Sequence, residues 1–181
     1  MGAISYSECL DAIVTDGTQI SNTTTETIMC PDFNIPSFYM QPNRVIRITT
    51  YYECSNVVTT PGTLTFRIRW GGVAGTVLCA SGAIALNATA RTNFNGYNIW
   101  TIVCRTAGSA GSMSTHGLCL PNNTVANVSA QLLYIAPQSG TSVVGSVDTT
   151  VDKLLSCTAQ FSVTTSPTNL TCQDRIIELV N

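Results

Sequence analysis

The stretch Thr63-Leu-Thr-Phe-Arg-Ile-Arg-Trp70 alternates without a break, with Leu64, Phe66, Ile68 and Trp70 on one side and Thr63, Thr65, Arg67 and Arg69 on the other. Pro61-Gly62 opens it and Gly71-Gly72 closes it. A period of two between turn formers marks a half-buried β-strand, apolar face inward and hydroxyls and guanidiniums outward. The same pattern continues in both directions. It predicts strands over 25–31, 36–41, 43–54, 62–70, 75–80, 83–91, 96–106, 112–120, 129–136, 153–163 and 169–180. Turn formers fill the gaps at 55–62, 107–112, 121–127, 137–146 and 164–169. Short strands at this spacing predict an all-β protein, a single antiparallel β-sandwich or barrel. No stretch keeps a 3.6-residue period over ten positions, so helix is expected only as one turn near 6–13.

Two further segments sharpen the faces. In Lys153–Phe161 the residues Leu155, Cys157, Ala159 and Phe161 are expected in the core, with Ser156, Thr158 and Gln160 toward solvent or a partner. In 97–106, Trp100, Ile102 and Cys104 face one way, while Tyr97, Ile99, Thr101, Val103 and Arg105 face the other. Apolar groups on both faces place this strand centrally or at a subunit contact.

A chain of 181 residues buries roughly 70% of its extended surface in one core, and one domain is expected over 21–181. Residues 1–20 show no sustained period and are read as an irregular N-terminal arm. Only 10% of the residues are charged, so the wet surface must consist largely of hydroxyls and amides. Charge repulsion is then weak, and solubility is expected to rest on assembly with other subunits. The basic residues are scattered and the net charge is −2, which speaks against nucleic acid as a partner. The first ten residues lack the cationic and apolar regions of a secretory signal, and no apolar run is long enough for a membrane helix. No membrane partner is expected.

Groups that perform chemistry are sparse. His116, the single histidine, has Ser and Thr nearby but no Gly-x-Ser-x-Gly elbow, and a surface or hydrogen-bonded role is expected of it. Asp148 and Asp152 are read as turn residues that accept backbone hydrogen bonds, not as a catalytic carboxylate pair. The glycines from Gly71 to Gly75 form a hairpin turn, because no Lys and no helix follow them. The eight cysteines contain no C-x-x-C pair and lie mostly inside strand patterns, so free buried thiols are expected, not zinc ligands or a disulfide framework. No catalytic residue, cofactor or metal site is expected.

Several segments together suggest a family: Thr60-Pro-Gly-Thr-Leu-Thr-Phe-Arg-Ile-Arg-Trp-Gly-Gly-Val-Ala-Gly-Thr76, the strand and loop from Asn98 to Ser112, the unit from Val147 to Phe161, and the ending Ile176-Ile-Glu-Leu-Val-Asn181. Over roughly 20–181 the chain resembles small virion proteins of tailed bacteriophages. The resemblance implies a jelly-roll sandwich of the capsid decoration or cement type, sitting on the outer capsid surface after assembly in the bacterial host cytoplasm. It implies two partners, the major capsid protein and further copies of the chain as a homotrimer. The cysteines depart from the pattern, where Thr, Val or Leu would be expected.

The expected interface residues are Tyr6, Cys9 and Leu10, because a segment without its own period must find contacts elsewhere. Arg44, Arg47, Arg67 and Arg69 join them, because guanidinium suits desolvated contacts. The alternative is a tail-fibre or receptor-binding sandwich that recognises host glycans through Tyr51, Tyr52, Tyr97, Trp70 or Trp100. Exposure of those rings separates the two readings.

Overall fold

A computed structural model describes residues 7–57, 60–122, 133–138 and 140–180. These form fourteen strands: β1 (Ser7–Ile13), β2 (Ile20–Ser21), β3 (Thr27–Ile28), β4 (Phe33–Ile35), β5 (Val45–Asn56), β6 (Thr63–Trp70), β7 (Thr76–Ala80), β8 (Ile84–Ala85), β9 (Arg91–Thr106), β10 (Gly111–Pro121), β11 (Tyr134–Ala136), β12 (Val143–Val147), β13 (Lys153–Phe161) and β14 (Asn169–Val180). All pairings are antiparallel, and they build two sheets. The larger runs β1-β14-β5-β9-β10-β11, the smaller β3-β13-β6-β7, with β4 extending the pairing of β13.

The pairing has the order of a rolled-up hairpin. Setting aside the two-residue β2, which also pairs β14, and counting β3 and β4 as one broken strand, the first strand pairs the last (β1 with β14) and the second pairs the last but one (β3–β4 with β13). Inside these, β5 pairs β9 and β6 pairs β7. This is a jelly roll, with β10, β11 and β12 added beyond β9 on the larger sheet.

That order corrects the expectation of an irregular arm over 1–20. Ser7–Ile13 is the outermost strand of the larger sheet, in register with 175–180 of β14, and there is no helical turn there. The reason is tertiary. Its alternation is broken by a bulge between Cys9 and Asp11, and an edge strand covered on one side needs little apolar periodicity. The predicted strand at 36–41 is instead a turn-rich connection. Val143–Val147, expected as loop, pairs β10. The predicted strand at 129–136 falls partly outside the described residues, and its visible end is β11.

The quoted stretch behaves as its alternation predicts: Leu64, Phe66, Ile68 and Trp70 are all buried. Opposite them the larger sheet contributes Ile46, Ile48, Tyr52, Trp100 and Ile102. Tyr52 packs on Phe66 with ring centroids 4.9 Å apart, one of the contacts joining the sheets. Each of the two large rings of the larger sheet lies over a glycine of the next strand. A Cβ on Gly96 would stand 2.4 Å from the Tyr52 ring, and one on Gly117 would stand 2.4 Å from Trp100. Removing the side chain there is what lets the rings lie flat inside a sandwich about 10 Å thick.

Strand β14 changes phase midway. Leu170 and Cys172 point inward, and so do Arg175, Ile177 and Leu179, although these two sets have opposite parity. A bulge between Cys172 and Asp174 supplies the extra residue. It turns the guanidinium of Arg175, 1% exposed, into the interior.

Candidate functional site: the outer face of the larger sheet

The register lines up outward side chains in rows across the larger sheet. One row runs Ile135, Leu118, Ile99, Thr49, Ile176 and Ala12 over six strands. Next to it lies Leu120, Tyr97, Tyr51 and Asp174, and on the other side His116, Thr101, Arg47, Glu178 and Cys9. The centre of this face is apolar or hydroxylic. Ile135 is 66% exposed, Tyr51 42% and Leu118 37%. Charge is sparse on this face: Arg47 and Glu178 pair with each other, and Glu53, Arg105 and Asp174 also lie on it.

Two shallow depressions mark the face. The first, about 240 Å³, is lined by Ile99, Thr101, His116, Gly117, Leu118 and Ile135. The second, about 220 Å³, is lined by Tyr51, Asn95, Gly96, Tyr97, Leu120 and Asn122. In it the rings of Tyr51 and Tyr97 lie 5.9 Å apart at 32°. His116 is exposed in the first, and no acid lines that depression with it among the described residues. Asp148 and Asp152 serve turns: Asp148 Oδ1 accepts from Thr150 N at 2.9 Å and Thr150 Oγ1 at 2.7 Å, and Asp152 Oδ1 accepts from Ser37 N at 2.8 Å.

The arginines expected at an interface are engaged within the chain. Arg67 and Arg69 converge on Glu26, Arg67 Nη1 donating to Oε2 at 3.1 Å and Arg69 Nη2 to the same oxygen at 2.6 Å. Thr158 Oγ1 also donates to Glu26, so Thr158, expected to be outward and wet, is buried. Burial pushes the Glu26 carboxyl up, but hydrogen bonds from Arg69 and Thr158 and the charges of Arg67 and Arg69 outweigh it. The net position is below the usual carboxylate range.

Arg44 donates to Tyr39 O, and its guanidinium stands 4.4 Å from the centre of the Tyr39 ring. Arg47 Nε donates to Glu178 Oε2 at 2.9 Å, and Ser7 Oγ donates to Glu178 Oε1 at 2.8 Å. The bonds from Arg47 and Ser7 hold the Glu178 carboxyl below its ordinary value. Of the expected N-terminal residues, Cys9 is exposed on β1, Leu10 packs against the core, and Tyr6 lies outside the described residues.

Sequence reasoning left out Glu26, which gathers both arginines of β6, although it stands out as the single acid in Thr23-Thr-Thr-Glu-Thr-Ile28. It also left out Leu118 and Ile135. Their signal was indirect, in the apolar residues on both faces of 97–106.

No protein-family model matches the chain, and no curated protein matches it. Among solved structures the chain is similar to the CBM2 module of Lactobacillus casei BL23 phage J-1 evolved Dit. That likeness has a TM-score of 0.34 and 13% identity, covering 83% of this chain and 68% of that one.

Proposed function

We propose that the chain is a non-enzymatic structural protein of a bacteriophage virion, a decoration or cement subunit on the outer capsid surface. The observation that carries this reading is the outer face of the larger sheet, where an apolar and hydroxyl row crosses six strands beside the paired Arg47 and Glu178. A face of that kind loses little solvation when covered by another subunit. The sequence resemblance to jelly-roll virion proteins supports the same reading. The subunit would assemble as a homotrimer and bridge neighbouring copies of the major capsid protein, stabilising the shell by mass action. The test is copy number and position: quantitative mass spectrometry and image reconstruction of particles that carry this chain. Hundreds of copies spread over the head support the proposal, and a few dozen or fewer confined to the tail overturn it.

A second reading is favoured by the depression at Tyr51 and Tyr97. The exposed Tyr51 ring and the half-buried Tyr97 ring, flanked by the amides of Asn95 and Asn122, offer a stacking surface and hydrogen-bond partners for a sugar. In this reading the chain is a tail or receptor-binding module for host glycans. Calorimetric titration with host cell-wall oligosaccharides tests it. Binding that is lost in Tyr51→Ala and Tyr97→Ala supports it, and no heat of binding at millimolar sugar removes it.

A further inference from the structure

The connection between β4 and β5 crosses from the smaller sheet to the larger one at the end of the sandwich where β9 gives way to β10. Phe38, in this connection, combines two properties that rarely go together. Its φ is 59°, in the left-handed region that Gly or Asn enters at little cost and an aromatic residue does not. Its side chain is 62% exposed, so little packing inside the chain offsets that backbone conformation. The conformation is nevertheless fixed. Phe38 N donates to Thr149 O at 2.8 Å, Gln41 Nε2 donates to Phe38 O at 2.7 Å, and Ser37 N donates to Asp152 Oδ1 at 2.8 Å. Behind the exposed ring Met40 is buried and Tyr39 packs against the core. Val151, two residues beyond Thr149, is exposed as well, and so are Leu154 and Val73, the latter in the hairpin whose Gly71 and Gly72 amides donate to Leu154 O. An exposed ring held on a strained backbone marks a contact point and not a packing element.

The outer face of the larger sheet holds a receptor of matching size and chemistry. It is the depression of about 240 Å³ lined by Ile99, Leu118 and Ile135, with Thr101, His116 and Gly117 completing it. A cavity of about 150 Å³ accepts a benzene ring, so this depression has room for a phenyl group and its β-carbon. Ile99 lies in the middle of β9, roughly 20 Å by strand rise from Thr106 at the end where Phe38 sits. The ring and the depression of one chain are therefore too far apart to meet.

We propose that Phe38 of one copy inserts into the Ile99, Leu118 and Ile135 depression of the next, in a head-to-tail contact between copies of this chain. Both halves of the contact are present on the same chain, which favours a second copy over a foreign partner. Because the halves lie on different surfaces, the contact is heterologous: each copy gives one ring and receives one. A rotation that closes after three copies produces the homotrimer proposed above, and the inference rests on that reading for its stoichiometry. Burial of the ring together with the exposed parts of Leu118 and Ile135 supplies the driving force. The hydrogen-bonded loop presents the ring already in place, so little freedom is lost on docking.

The test uses the full chain, with association read by sedimentation velocity. The wild type is expected to associate at about 100 μM, and Phe38→Asn, which suits the left-handed backbone, is expected to weaken association at least about 10-fold. In dilute solution, where both are monomers, Phe38→Asn is expected to melt at or above the wild-type temperature because the strain is relieved. A lower melting point with association unchanged makes Phe38 a residue of its own fold and overturns the proposal. Ile135→Asp is expected to weaken association from the opposite side of the contact. The decisive measurement mixes the two variants. Phe38→Asn keeps an intact depression and Ile135→Asp keeps an intact ring, so together they are expected to form a one-to-one complex although neither associates alone. With an associating wild type, association that survives Phe38→Asn, or a mixture that stays monomeric, overturns this contact and leaves the homotrimer to other surfaces. A wild-type chain that is monomeric throughout overturns contact and homotrimer together. If Phe38 then carries it onto phosphatidylcholine vesicles, the tip is a membrane anchor and the proposal falls in that direction. The capsid location is decided separately by copy number.

Discussion

The two outer faces of this sandwich solve the same problem in opposite ways. On the smaller sheet the outward residues of β6 are Thr63, Thr65, Arg67 and Arg69, and Glu26 lies across them, tied to both guanidiniums and to Thr158. That face meets its own polar needs. On the larger sheet the outward residues at the centre are Ile99, Leu118, Ile135, Tyr97 and Tyr51, of which Ile135, Leu118 and Tyr51 are exposed. In a protein with so few charges, that leaves the centre of one face with little that strongly binds water. Arg67 and Arg69 are thus engaged by Glu26 on the smaller sheet, Arg47 pairs with Glu178 on the larger one, and the apolar centre of the larger sheet is the more open surface.

The contrast can be broken most directly on the larger sheet. Combining Ile99→Asp and Leu118→Asp should weaken attachment to particles or to other copies at least about 100-fold, about 2.7 kcal/mol, since two carboxylates would be desolvated on docking. Binding or sedimentation measurements read this, and melting should fall only modestly, because neither side chain belongs to the buried core and the cost is the repulsion of two carboxylates opposed across β9 and β10. On the smaller sheet the expected outcome is reversed. Glu26→Ala should cost about 2 kcal/mol by leaving two half-buried guanidiniums without their acid, a melting point roughly 4–8 °C lower by calorimetry, with attachment unchanged.

The same carboxylate sharpens the comparison through pH. Because its folded value lies below the ordinary 4.5, the folded chain binds that proton more weakly than the unfolded chain does. Its contribution is complete above about pH 4.5 and is lost as pH falls through the lower folded value. Urea midpoints measured from pH 6 to pH 3 should fall in the wild type and fall less steeply in Glu26→Gln. The smallest effect belongs to Arg47→Ala. Its side chain is 42% exposed beside Glu178, so the loss should stay under about 0.5 kcal/mol and shrink further in salt.

How much of this was legible in the chain differs from element to element. In β6 and the inner half of β9 the alternation named the buried residues, because a strand covered on one face must bury every second side chain. In β13 it named Leu155, Cys157, Ala159 and Phe161 but not Ser156 and Thr158, which are buried as well. Strand β14 shows where such reading stops. Its inward set shifts from even to odd positions at the bulge after Cys172, and only the change of parity between Leu170 and Ile177 hints at that. Arg175 was consequently not read as an interior residue, nor was its contact with the sulfur of Cys30, 145 residues away in sequence. Strand β1 was missed for a related reason. A bulged edge strand takes its order from the β14 backbone, and its side chains carry little pattern of their own.

By itself, then, the sequence determined that this is an all-β sandwich, poor in charge, with the inner faces of its main strands identified. Those properties follow from local periodicity and composition. Tertiary structure decided the rest: which outer face is closed by Glu26 and which is more open, where the first strand sits, and which groups surround Arg175. Each of these depends on register and bulges between segments far apart in the chain. A one-residue change of phase moves a side chain from one face to the other without altering the composition of the strand.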